Sequence, residues 1–184
     1  MQVEDTAIPA VKILTPEKHG DARGFFSEVY SKAAFDKAGL ELAFVQDNHS
    51  FSAAVGTLRG LHFQIPPFAQ DKLVRVTRGR ILDVAVDIRR SSPTFGKHVA
   101  VELSPENWRQ LLAPIGFAHG FVTLEPDTEV LYKTTGPYSP ESDRGLAWDD
   151  PDIGIAWPLP PGGPMLSDRD RRWPRLEDAR ELFP

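Results

Sequence analysis

An all-β jelly roll or β-sandwich with a few short helices is the fold this sequence predicts, and three features predict it. Seventeen prolines and 14 glycines cut the apolar segments into short pieces. Several of those pieces alternate apolar and polar residues with period two, the signature of a strand with two unlike faces. Only one stretch reads as a helix. In chain order, that helix is SKAAFDKA at 31–38, closed by Gly39 as a C-terminal cap. LVRV at 73–76 is a strand, followed by the turn Thr77-Arg78-Gly79-Arg80. ILDVAVDI at 81–88 sets Leu82, Val84, Val86 and Ile88 against Asp83, Ala85 and Asp87. HVAVEL at 98–103 repeats the pattern with Val99, Val101 and Leu103 on one face. FVTL at 121–124 and TEVLYKTT at 128–135 are two further strands around Glu125-Pro126-Asp127. Short strands with frequent turns fit a jelly roll better than any helical architecture. The tail from Ser167, SDRDRRWPRLEDARELFP, is dense in both charges and is expected to be a solvated surface segment.

At 184 residues the chain is expected to form one domain, 1–184, with a full core of its own. A hydrophobic content of 41% and a charged content of 26% are those of a globular protein. The net charge of -5 lacks the basic excess of a general nucleic-acid binder, so no nucleic-acid partner is expected. No apolar run approaches the roughly 20 residues that span a bilayer, and no membrane partner is expected either. The N-terminus carries no signal-peptide core, and the chain has no cysteine; both agree with a cytoplasmic location.

Chemistry concentrates in Gly56–Gly79, GTLRGLHFQIPPFAQDKLVRVTRG. His62 stands between Leu61 and Phe63, and Gly60 lets the backbone come close to whatever lies opposite. Imidazole takes and returns a proton near neutral pH. Arg59 and Lys72 bring fixed positive charge to the same region, which suits an anionic ligand or a developing oxyanion. A surface histidine on a basic strand would look the same in isolation. Asp83 interrupts an aliphatic strand; it is either buried beside Lys72 or a histidine, or solvent-facing on the polar side. His19, His49 and His98 are assigned no chemistry.

Gly56-x5-His62-x-Gln64 with Lys72-x6-Gly79, and later Pro114-x-Gly116-x-x-His119, resemble the two motifs of the cupin superfamily. Metal-binding cupins carry a second histidine and a glutamate where this chain has Gln64 and Lys72. An ammonium group repels a divalent cation, so no metal site and no cofactor are expected.

The resemblance then narrows. GDARGFFSEVY (20–30), FVQDNHS (44–50), LRGLHFQ (58–64), KLVRV (72–76), DVAVDIR (83–89), SPTFGK (92–97), PIGFAHGF (114–121), LYKTT (131–135) and LSDRD (166–170) resemble, in order, the dTDP-4-dehydrorhamnose 3,5-epimerases. The resemblance implies a metal-free, cupin-type double-stranded β-helix acting on dTDP-4-dehydro-6-deoxy-D-glucose. It implies inversion at C3 and C5 to the L-sugar, and a homodimer whose N-terminal strand lies against the partner. It makes His62 the base, Asp170 the carboxylate that polarises it, Tyr132 the acid on the opposite face and Lys72 the cation beside O4. It assigns Arg23 and Arg59 to the diphosphate. Phe26, Glu28, Gln46, Asp47, Asn48 and His119 go to nucleotide and sugar contacts, with Tyr138 as the platform for the base.

Two positions depart from that pattern, Asp143 where glutamate is usual and Arg169 where lysine is usual. Both keep charge but not reach, and the nearby PLPPGGPM (158–165) is able to shift the register so that Asp168 competes with Asp170. Three alternatives stay open: an epimerase for C3 or C5 alone or a ketoisomerase, a non-catalytic sugar-nucleotide-binding module, and a metal-dependent cupin, which the missing ligands oppose. A binding module would have no use for Tyr132 or a His–Asp pair.

Overall fold

The computed structural model describes residues 1–184, with thirteen strands and one short helix. The N-terminal third holds β1 (Gln2–Asp5), β2 (Lys12–Thr15), the small hairpin β3 (His19–Asp21) and β4 (Gly24–Phe26), helix α1 (Lys32–Lys37) and β5 (Gln46–Ser52). Then follow β6 (Leu58–Gln64), β7 (Lys72–Arg78), β8 (Ile81–Asp87) and β9 (His98–Leu103). Last come β10 (Gln110–Ala113), β11 (Phe117–Thr123), β12 (Thr128–Thr134) and β13 (Asp143–Gly145). Two antiparallel sheets carry the fold, one ordered β1-β2-β10-β7-β12-β5 and the other β13-β6-β11-β8-β9. The all-β, jelly-roll expectation holds.

The sequence pattern explains why the sheets stack as they do. Val74, Val76, Leu111 and Val130 from the first sheet meet Ile81, Ala85, Val101, Phe117 and Phe121 from the second in one buried core. β9 lies at a sheet edge and behaves as its alternation predicts, burying Val99, Val101 and Leu103 while Ala100 and Glu102 face solvent. β8 does not: its second face is buried as well, with Val84 and Val86 against Leu61, Phe63 and Ala118. That face is covered by the chain after β13, through Leu146, Ile153, Leu176, Ala179 and Phe183. The tail is therefore not a solvated segment throughout. Its apolar residues close the outer face of the second sheet, while Arg169 and Asp170 turn inward between the sheets.

Helix α1 forms where expected, with Gly39 at φ 76° ending it. Its Phe35 packs on Leu14, Leu73 and Leu112 outside the first sheet. Gly60 permits a close approach between strands of the second sheet, since a Cβ there would lie 2.5 Å from Gly120 Cα. That contact seats β6 against β11 and sets His62 opposite His119 in register. SPTFGK (92–97) turns out to be structural. Buried Asp87 accepts hydrogen bonds from Arg89, Ser92 Oγ and Thr94 Oγ1. Burial opposes the charge on Asp87, but these donors outweigh it and hold the carboxyl at about 2. No helix is long and apolar enough to cross a membrane.

Candidate active site

Toward one end of the sandwich the inward rows of side chains turn polar. Lys72 continues the row of Val74 and Val76 on β7, and Tyr132 continues that of Val130 on β12. Facing them from the other sheet are His62 on β6 and His119 on β11. Two connected lobes of about 260 and 440 Å³ open between the sheets, and both are lined by His62, Lys72, Tyr132 and Arg169. Gln46, Asn48, Tyr138 and Asp143 are among the others in the first lobe, and Arg59, His119 and Asp170 among those in the second.

The tail delivers Asp170 to His62, with Nε2 and Oδ1 2.5 Å apart. Asp168 is exposed and Asp170 buried, so the proline- and glycine-rich loop leaves the expected register intact. The carboxylate fixes the ring proton on Nε2 and leaves Nδ1 as the free acceptor. Burial pushes the His62 pKa down, and the bond to Asp170 offsets only part of that. Burial would raise Asp170, but hydrogen bonds from His62, Ser167 and Trp173 outweigh it and keep the carboxyl ionised. The result is a neutral imidazole backed by an anion, the form a general base needs.

Tyr132 is the counterpart on the opposite wall. Its ring packs on the inter-sheet core, and burial pushes the phenol pKa up, so it stays protonated at neutral pH. The hydroxyl has no protein partner, unlike that of a satisfied core tyrosine. Lys72 Nζ donates to the His62 carbonyl at 3.2 Å. Burial brings its pKa down to about 8, against the pull of Asp143 and Asp83.

Asp83 resolves to the buried alternative. It is inaccessible to solvent, and its Oδ1 lies 2.7 Å from His119 Nε2. Burial raises its pKa, while His119 and Lys72 oppose the rise. The two unusual residues meet each other: the Arg169 guanidinium pairs with the Asp143 carboxylate. Tyr138 Oη donates to the same carboxylate at 3.2 Å, and its backbone N–H donates to Gln46 Oε1 at 3.1 Å. Gln64, the residue at a ligand position of metal cupins, is spent on the Phe68 and Pro137 carbonyls.

Four expected residues lie elsewhere. Period two on β5 turns Gln46 and Asn48 inward and Asp47 outward, where its carboxylate binds Lys133 at 2.7 Å on the far side of the sheet. Arg23, on the β3–β4 hairpin, pairs with Asp21 and is 90% exposed. Phe26 is 71% exposed, and Glu28 lines a separate cleft with Met1, Glu17 and Tyr30. None of these four side chains reaches the cavity. The sequence reading, in turn, missed Trp173 and Ser167, which hold Asp170; only a tryptophan in an otherwise charged tail hinted at them.

A family model described as dTDP-4-dehydrorhamnose 3,5-epimerase matches residues 5–178. A protein of that name from Sinorhizobium fredii is 55% identical over 176 residues, 96% of this chain and 90% of its own. The crystal structure of a dTDP-6-deoxy-D-glucose-3,5-epimerase from Legionella pneumophila, in complex with dTDP-4-keto-L-rhamnose, superposes with a TM-score of 0.94 at 43% identity, covering 99% and 97% of the two chains. A 3'-monoepimerase from Streptomyces bikiniensis, in complex with dTDP-quinovose, superposes with a TM-score of 0.87 at 34% identity, over 94% and 87%.

Proposed function

The chain belongs to the dTDP-4-dehydrorhamnose 3,5-epimerase family, and on that premise we propose how its cavity inverts C3 and C5 of dTDP-4-dehydro-6-deoxy-D-glucose to give dTDP-4-dehydro-L-rhamnose. The ketone at C4 acidifies the hydrogens on both neighbouring carbons, because each carbanion delocalises onto O4 as an enolate. His62 Nδ1 removes the proton from one face of the sugar, with Asp170 stabilising the imidazolium. Tyr132 returns a proton from the other face. Lys72 stabilises the charge on O4. The observation that carries this reading is the opposition itself: a carboxylate-backed imidazole on one sheet and an unbonded phenol on the other, across one cavity. Arg59, Arg169, His119, Gln46, Asn48 and Tyr138 line the remainder and suit a diphosphate, a sugar and a planar base.

The reaction is tested by incubating the protein with dTDP-4-dehydro-6-deoxyglucose in deuterated water and following C3 and C5 by NMR. Inversion with deuterium at both carbons is expected; inversion at one carbon alone would make the chain a monoepimerase, and none would refute catalysis. The role of Lys72 predicts a pH dependence. Its ammonium is present below its pKa and lost as pH rises through about 8. Turnover should therefore decline above about pH 8, and Lys72→Arg, whose cation does not titrate, should remove that limb while lowering the rate. An unchanged alkaline limb in the arginine variant would rule out Lys72 as its source.

The reading includes a homodimer in which Arg23, Phe26 and Glu28 serve the neighbouring subunit's cavity. It is supported by the exposure of the hairpin that bears Arg23 and Phe26 and by their absence from their own subunit's cavity. An active monomer in light scattering would refute it. It also includes a cytoplasmic location, for which the cysteine-free sequence speaks and which cell fractionation checks.

A further inference from the structure

We propose that Trp173 is a positioning residue for the His62–Asp170 pair, and that Gly145 is the seat that lets it act. This rests on the reading of His62 as the base. The indole Nε1–H donates to Asp170 Oδ1 at 3.3 Å, the same oxygen that meets His62. The indole also stands edge-on to the imidazole, with ring centroids 6.2 Å apart. One side chain thus touches both members of the pair. Its placement is built into the sheet. Gly145 on β13 is the register partner of His62 on β6. A Cβ at Gly145 would lie 2.5 Å from indole Cε2, so only glycine leaves room for the ring beside His62. Immediately beyond Trp173, the Pro174 carbonyl accepts the Ala147 N–H at 2.8 Å, which ties the tail to the chain leaving β13.

A carboxylate with one strong partner pivots about that bond. Asp170 is instead gripped from two sides at Oδ1, while Ser167 Oγ accepts its backbone N–H at 3.1 Å. Tail residue 170 otherwise reaches the site from a segment with little regular structure. The indole converts that loose approach into a fixed one. Removing its N–H leaves the carboxylate charge less compensated, so the carboxylate should draw the His62 proton more strongly. The other groups facing His62 are unchanged by the substitution: Arg169 from the tail, Lys72 on β7, Tyr132 on β12, His119 on β11 with Asp83 behind it, Arg59 on β6 and Asp143 on β13.

The test is Trp173→Phe, which keeps an aromatic ring and loses the donor. We expect kcat to fall about tenfold with KM little changed, since orientation of the base is lost and substrate contacts are kept. The acid limb of the kcat/KM profile should move up by about half a pH unit, and the His62 imidazole should titrate higher by the same amount in NMR. A role confined to packing would move neither. Gly145→Ala, which pushes the indole from its seat, should lower kcat in the same direction and decides the matter if Trp173→Phe fails to fold. Wild-type kcat together with an unshifted His62 titration in folded Trp173→Phe overturns the proposal. Failure of the base assignment is separable, because His62→Ala would then retain solvent exchange whatever Trp173→Phe does.

Discussion

His62→Ala is expected to abolish product formation and solvent exchange at C3 and C5 together. Both require an enolate, and of the two carboxylate-backed imidazoles that line the cavity, His62 is the more accessible. His119 has a similar pairing with Asp83, but its side chain is only 8% exposed, against 21% for His62. The fold should survive, because His62 belongs to none of the three apolar clusters that hold the sheets together. General base catalysis is worth about 10²- to 10⁴-fold, and losing the base before the first step should cost at least the upper part of that range. Deuterium uptake by the substrate, measured beside epimer yield and with a melting curve as control, checks the claim. Free exchange in the folded variant would show that another group removes the protons.

The site was more legible than the architecture that builds it. His62, Lys72, Tyr132 and Asp170 come from four separate segments, and no spacing rule joins them; the ordered run of family motifs does. Geometry then adds what motifs do not carry. In VQDN the sequence runs Gln46, Asp47 and Asn48 together, yet a strand sends adjacent side chains to opposite faces, so Asp47 leaves the site. Strand β9 could be read directly, since one of its faces meets water and its alternation is one of polarity. β8 was legible as a strand but not in its burial, because both faces are buried and the contrast between Asp83 and Val84 is between two interiors. β5 (Gln46–Ser52) escaped notice for the opposite reason: its inward face lines a polar cavity, so hydropathy does not alternate. The charged tail misled because Leu176, Ala179 and Phe183 are sparse in sequence, and what demands them is a distant sheet face. Trp173 gave no more than a hint, because an indole has no chemistry until a carboxylate is placed beside it.

Tyr132→Phe should separate proton removal from proton return. The variant keeps the ring that packs on Val130 and the inter-sheet core, and loses only a hydroxyl that has no protein partner. Folding stability should therefore change little. The proposed roles of His62 with Asp170 in forming the enolate, and of Lys72 in stabilising it, are untouched by the substitution. With no acid on the opposite wall, the proton comes back mostly from the face it left. Deuterium should enter at C3 and C5 while inverted product falls by about 10²- to 10⁴-fold, the usual worth of a positioned acid. The phenol's raised pKa gives the same expectation from another side, since a protonated donor is available throughout the neutral range and only its removal, not a modest rise in pH, silences it. The ratio of deuterium incorporation to epimer yield is the decisive quantity, because a merely weakened enzyme loses both in proportion. Epimerisation at the wild-type rate in Tyr132→Phe, or a proportional loss of exchange and inversion, would remove Tyr132 from the role of acid and leave the face opposite His62 to water.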